Sequence, residues 1–160
     1  MKGHLSQDSL VEVPAVVIWE VYRGLELGKL VNEPLRDVIG TVEVVHGDGG
    51  VETIIKVTFH PGTPGPKYMK EMFTKIDDEQ RLKEAEIIEG GFKDVGFELY
   101  RNRLQIVEKD AQSSIVKSSV DCEIDDMLQE LASLVTTKPL EILNESVCKH
   151  LKQKRDSSAY

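Results

Sequence analysis

Aromatic side chains are scarce in this chain, at 6% of its 160 residues. A bent sheet folded over a helix needs large side chains at its centre. The scarcity therefore leaves room for a cavity, although Leu, Ile and Val could close it at ordinary packing density. Only two cysteines occur, Cys122 and Cys148; they cannot form a disulfide framework, and they fit a reduced, cytosolic protein with no redox chemistry. The four histidines, His4, His46, His60 and His150, fall in neither an HExxH pattern nor a Cys/His ligand spacing, so no bound metal is expected. No apolar run approaches the roughly 20 residues that cross a bilayer. The opening MKGHLSQDSL has neither the basic nor the apolar part of a secretory signal, and a cytoplasmic location is expected. Basic residues are outnumbered, 20 against 28 acidic, for a net charge of -8. That balance argues against nucleic acid as a partner. The locally basic KHLKQKR reads as the solvated end of a helix.

What is present fits one domain over residues 1–160, with 155–160 expected as a disordered tail. Residues 14 to 24 open on Pro14 and carry Ile18, Val21, Tyr22 and Leu25 at helical spacing, with Gly24 as a stop. A second short helix over 26 to 33 follows from Leu27, Leu30 and Val31 and ends before Pro34. From residue 40 the texture turns to β-branched residues in short alternating runs. TVEVVHGDGGVETIIKVTF reads as two strands around a glycine-rich turn; KYMKEMFTKID, QRLKEAEIIEG, FELYRNRLQIVEK and SSIVKSSVDCEI read as four more. With the N-terminal segment they make seven strands of a curling antiparallel sheet. The last third carries a helical apolar stripe of Met127, Leu128, Leu131, Leu134 and Val135, then Leu140, Leu143, Val147 and Leu151, with a break expected at Thr136 to Pro139. The whole is an α+β chain: seven strands wrapped around a long C-terminal helix, with two short helices after the first strand.

Two features invite chemistry. GDGGVET has the glycines of a phosphate loop, but it lacks the Lys-Ser/Thr ending and lies between strands, so it reads as a hairpin turn. The second is a set of polar residues sorted by strand alternation. Met69, Glu71 and Phe73 share one face, as do Lys83, Ala85 and Ile87, and as do Tyr100, Asn102, Leu104 and Ile106. If these faces point inward, a carboxylate, an ammonium, a phenol and an amide converge on one pocket. In the opposite phase, Lys83 and Glu71 form a solvent-exposed cross-strand pair worth a fraction of a kcal/mol.

The stretches VVHGDGGVETIIKVTFHPGTPGPKYMKEMF, RLKEAEIIEGG and SSIVKSS, with TTKPL near the end, resemble those of norcoclaurine and norbelladine synthases. These belong to the Bet v 1, or pathogenesis-related class 10, family of plant proteins. The resemblance covers most of the chain and implies the helix-grip architecture. It also implies a pocket in which an arylethylamine condenses with an aldehyde. Lys83 would give a proton to the departing carbinolamine oxygen, and Glu71 would take the ring proton. Such roles suit a desolvated lysine and a partly buried carboxylate, whose proton affinities shift toward neutrality. Met69 and Asn102 stand where norcoclaurine synthases carry Tyr and Asp, and Glu52 where the family usually carries Gly. Tyr68, three residues before Glu71, matches a tyrosine of norbelladine synthases, which condense tyramine with a hydroxylated benzaldehyde. In a regular strand Tyr68 faces away from Glu71, so a catalytic role needs a bulge or a rim position.

Catalysis is thus expected from Lys83, Glu71 and Tyr68, with substrate held by Met69, Phe73, Ala85, Ile87, Tyr100, Asn102, Leu104, Leu143 and Val147. No cofactor is implied. The same pocket would serve a carrier of phenolics, alkaloids or hormones, with Lys83 and Glu71 as anchors. Ribonuclease activity is poorly supported by an acidic chain with no catalytic histidine pair. The expected partners are a small aromatic amine and aldehyde, or a phenolic ligand, bound by a monomer or weak homodimer.

Overall fold

The computed structural model describes residues 1–62 and 65–158, without the side chains of 156–158. Seven strands form one antiparallel sheet: β1 (Lys2–Val11), β2 (Gly40–His46), β3 (Ile54–Phe59), β4 (Tyr68–Asp77), β5 (Leu82–Gly90), β6 (Phe97–Asp110) and β7 (Ser113–Ile124). Their order is β1-β7-β6-β5-β4-β3-β2, so the chain meanders from β2 to β7 and β1 closes on the far side of β7. Helices α1 (Ala15–Tyr22) and α2 (Glu26–Asn32) follow β1, and α3 (Lys138–Ser158) ends the described chain, packing on β1 and β7. The α+β architecture read from the sequence is the one observed. The tail expected from 155 falls partly outside the described residues, while α3 continues through Ser158.

The helix starts and stops follow from the prolines. Pro14 precedes α1 with a fixed φ of -57°, and its carbonyl accepts from the amides of Val17 and Ile18. Pro139 sits in the first turn of α3, where its missing amide costs no hydrogen bond, and the preceding Val135 is extended. The expected break is therefore a clean one, with consequences for the stripe before it. Residues Asp126–Leu134 form a 3-10 segment instead of an α-helix, and Met127 is 91% exposed, with Leu128 and Leu134 also open to solvent. Of that stripe, Leu131 and Val135 still pack against Ile87, Phe97 and Tyr100, so only part of it reaches the core.

The glycine-rich segment between β2 and β3 is a turn, as its chemistry predicts. Gly47 and Gly49 adopt φ of 97° and 106°, and Thr53 Oγ1 accepts from the Gly49 amide at 2.9 Å. Glu52 also takes a left-handed φ, 73°, which only glycine adopts without strain, and its amide donates to the Phe73 carbonyl at 2.7 Å.

The core consists of three apolar clusters. The largest joins Val11, Ile18, Trp19, Tyr22, Val116 and Val147, with Leu104 and Leu143 packed against it. A second centres on Ile87, Phe97, Tyr100 and Val120, and a third on Ile55, Val57, Phe73 and Ala85; Met69 packs against both. Of the nine residues expected to hold substrate, all but Asn102 are thus divided among three clusters.

Candidate active site

Three adjacent strands carry the inward polar groups, and the strand register determines how far apart they lie. On β4, Glu71 pairs with Ile87 of β5; on β5, Lys83 pairs with Ile76 of β4 and Leu104 of β6; on β6, Asn102 pairs with Ala85. The Lys83 and Glu71 backbones are therefore offset by about 13 Å along the strand direction, with the Phe73–Ala85 pair between them and both side chains close enough for their charges to interact. Both turn inward, which rules out the solvent-exposed cross-strand pair that alternation alone left open. A bulge at Ile88 and another in the Phe73–Lys75 stretch keep the inner face of β4 aligned with that of β5.

Lys83 is 7% exposed. Its ammonium donates to the Tyr22 carbonyl at 2.9 Å and the Gly24 carbonyl at 3.5 Å, and it lies 3.6 Å from the centroid of the Phe73 ring. The carbonyls at the end of α1 carry the negative pole of that helix, and the ring face is electron-rich, so both favour the cation. Burial works against them and, with a minor push from Arg23, lowers the amine from its ordinary 10.5 to about 8; the Glu71 charge opposes this. Burial in turn pushes the Glu71 carboxyl up from its ordinary value, against the pull of Lys83 and a hydrogen bond from Asn102. The site thus pairs an ammonium made more acidic than an ordinary lysine with a carboxylate made more basic than an ordinary glutamate, an arrangement suited to proton transfer near pH 7.

The apolar surroundings come from the residues the alternation selected. Tyr100 is buried, stacks on Phe92 at 4.7 Å between centroids and meets Phe97 edge-on at 6.0 Å; burial pushes its phenol up to about 12. Met69 and Ile87 lie beside Gly91, where an added Cβ would approach Met69 Cβ to 3.3 Å, so the glycine lets this turn close over them. Leu104, Leu143 and Val147 lie with Tyr22 on the α1 and α3 side.

Tyr68 is not brought to these groups. As the first residue of β4 it stands on the outer face, its phenol donating to Glu89 Oε2 at 3.3 Å and its ring 4.9 Å from the Lys56 ammonium. It has the rim position, beside the proline-rich loop, that the sequence required of it, but its hydroxyl faces away from Glu71. Two grooves, of about 380 and 270 Å³, lie outside the site, one between β1 and α3 and one on the outer face of β1, β6 and β7.

Sequence reasoning missed a buried polar chain behind Lys83. The Tyr22 hydroxyl donates to Asn144 Oδ1 at 2.6 Å, and Asn144 Nδ2 donates to Ser118 Oγ at 3.1 Å. A signal was present. Asn144 lies four residues after Leu140 and three before Val147, inside the apolar stripe of α3, and Ser118 alternates with Val116 and Val120.

A curved antiparallel sheet closed by a C-terminal helix, with a lysine and a glutamate on its inner face, defines a helix-grip protein. The chain belongs to the pathogenesis-related protein Bet v 1 family, matched over residues 2–153. It is 48% identical over 157 residues to norbelladine synthase of Narcissus pseudonarcissus, covering 98% of this chain and 96% of that one. It is 35% identical to S-norcoclaurine synthase 2 of Papaver somniferum, covering 97% of this chain and 68% of that one. Among solved structures, norcoclaurine synthase from Thalictrum flavum in complex with dopamine and hydroxybenzaldehyde superposes with a TM-score of 0.84 at 31% identity, over 96% of this chain and 88% of that one.

Proposed function

We propose that this chain is a condensing enzyme of plant alkaloid biosynthesis that joins an arylethylamine of the dopamine or tyramine type to an aldehyde through an iminium. The observation that carries the reading is the opposed pair: a Lys83 ammonium buried on the Phe73 ring, and a desolvated Glu71 hydrogen-bonded by Asn102. The relatives named as norbelladine and norcoclaurine synthases support it.

In this mechanism the amine nitrogen attacks the aldehyde carbon and a carbinolamine forms. Lys83 donates a proton to the carbinolamine oxygen, which leaves as water while the nitrogen lone pair closes the C=N bond. For a ring-forming substrate, the aromatic carbon attacks the iminium carbon and Glu71 removes the ring proton. The apolar walls from Met69, Phe73, Ala85, Ile87, Tyr100, Leu104, Leu143 and Val147 exclude the water that would reverse the dehydration. Tyr68 serves at the rim, where substrate enters, and Asn102 fixes the Glu71 carboxylate. This chemistry fits one domain over residues 1–160, acting in the cytoplasm as a monomer or weak homodimer, and the net charge of -8 argues against nucleic acid as a main partner.

The test is incubation of the protein with dopamine or tyramine and a panel of aryl aldehydes, with products resolved by chiral chromatography. Enzyme-dependent product above the spontaneous background is the expected result. Binding of the same amines and aldehydes without turnover would make the protein a carrier instead.

A further inference from the structure

The position of the Lys83 ammonium is set from outside the strand that carries it. Its two oxygen partners, the Tyr22 and Gly24 carbonyls, lie where α1 ends and intrahelical donors run out. Anything that fixes that helix end fixes the ammonium. From the outside, Asp78 accepts from Arg23 Nε at 2.8 Å and Trp19 Nε1 at 2.9 Å, tying α1 to the turn after β4. On the inside, the chain Ser118–Asn144–Tyr22 reaches the same point from β7 through α3. Tyr22, Asn144 and Ser118 are 0%, 2% and 2% exposed within an otherwise apolar cluster. Burying three polar side chains costs free energy unless each finds a partner, and an apolar core of the same volume would avoid the cost altogether. A satisfied polar chain in such a place defines one geometry where apolar packing would tolerate several.

We propose that Tyr22, Asn144 and Ser118 are positioning residues for Lys83, forming a buried hydrogen-bonded chain that holds the end of α1 and so the two carbonyls on which the ammonium rests. Its catalytic use depends on the function proposed above; the anchoring itself does not. The ionisable groups facing Lys83 are Glu71 from β4, Arg23 from the end of α1 and the Tyr22 phenol, which burial holds protonated well above its ordinary value; Ile76 and Leu104, opposite on β4 and β6, are apolar. If the chain is cut, the ammonium loses well-placed acceptors while staying desolvated, so its charged form becomes less favourable.

The full-length protein labelled with 13Cε-lysine gives the readout, the Lys83 resonance being the one absent from Lys83→Met. In Tyr22→Phe and Asn144→Leu the Lys83 titration midpoint falls by about half a pH unit or more. Ser118→Ala, which removes only the far link, moves it less in the same direction, and Val16→Ala, exposed on α1, leaves it in place. In turnover, Tyr22→Phe lowers kcat about 10- to 100-fold with KM little changed, as a displaced group does. The alkaline limb of its pH profile moves to lower pH, and in the Lys83→Met background the same substitution has no further effect. A Lys83 midpoint unchanged or raised in folded Tyr22→Phe and Ser118→Ala overturns the proposal; if Tyr22→Phe and Asn144→Leu do not fold, Ser118→Ala decides. Wild-type turnover in Lys83→Met would remove Lys83 from the reaction, and no turnover in the wild type would end the proposed function; in either case the midpoints would still judge the anchoring.

Discussion

A lysine in an apolar interior must have a reason to stay charged, and Lys83 has three: two carbonyls at a helix end and an aromatic face. They fall short of replacing water, which is why the amine is lowered to about 8. The pH dependence of activity follows. A general acid is lost as pH rises through its own value, and a general base is lost as pH falls through its own. Turnover should therefore be bell-shaped, with an alkaline limb near 8 from Lys83 and an acid limb above the ordinary glutamate range from Glu71. Glu71→Gln should remove the acid limb while the alkaline one stays; a profile with neither change would remove Glu71 from the reaction. The same lowered value has a stability sign. A depressed lysine value means stability that is present above the unfolded value and lost as pH falls through the folded one, here from about 10.5 down to about 8. The melting temperature of Lys83→Met relative to wild type should thus be higher at pH 7 than at pH 10, whatever constant offset the lost carbonyl contacts add. Tyr68 is bonded to Glu89 on the outer face, and the rim role proposed for it predicts that Tyr68→Phe raises KM more than it lowers kcat. A hundredfold loss in kcat alone would place that phenol inside during turnover.

Among the elements, the β2–β3 turn offers the clearest local test. Glu52 holds a left-handed φ of 73° that a side chain adopts at a cost of about 1–2 kcal/mol. Glu52→Gly relieves that strain and keeps the amide that bonds the Phe73 carbonyl, at some cost in unfolded-chain entropy. Calorimetry should show a melting temperature raised by about 2–4 °C; an unchanged or lower one would mean the turn gains more from the Glu52 side chain than its backbone loses. Elements were the most legible level of this sequence. Alternation put Glu71, Lys83 and Asn102 on faces with apolar neighbours because strand period is fixed by covalent geometry, but left open whether those faces point inward; Pro14 marked a helix start and Pro139 a break because a proline lacks an amide hydrogen. What periodicity cannot supply is register, which depends on bulges and on pairing between strands far apart in sequence. Hence the offset of Glu71 and Lys83 and the 3-10 segment that leaves Met127 in solvent were not readable, whereas the outward turn of Tyr68 is the one a regular strand requires. The Tyr22–Asn144–Ser118 chain needs three elements to meet, and a lone Asn in an apolar stripe was its only trace.

At the scale of the whole molecule, the low aromatic content has a structural counterpart in a core divided into three clusters, with Glu71, Lys83 and Asn102 on rungs between them. Planar phenolic molecules should bind there. A ligand at 100 times its dissociation constant stabilises the folded state by about 2.7 kcal/mol, which thermal melts detect as a concentration-dependent rise. No rise with dopamine, tyramine or hydroxybenzaldehydes at millimolar concentration would mean that the interior does not open to them. The central claim is that Lys83 supplies the proton that turns carbinolamine into iminium. Its most direct test is the initial rate of amine–aldehyde condensation at pH 7 for the wild type and for Lys83→Met, which keeps length and approximate volume while deleting the ammonium. The account predicts a fall of about two to four powers of ten with substrate affinity nearly unchanged; equal rates in the two proteins would contradict it.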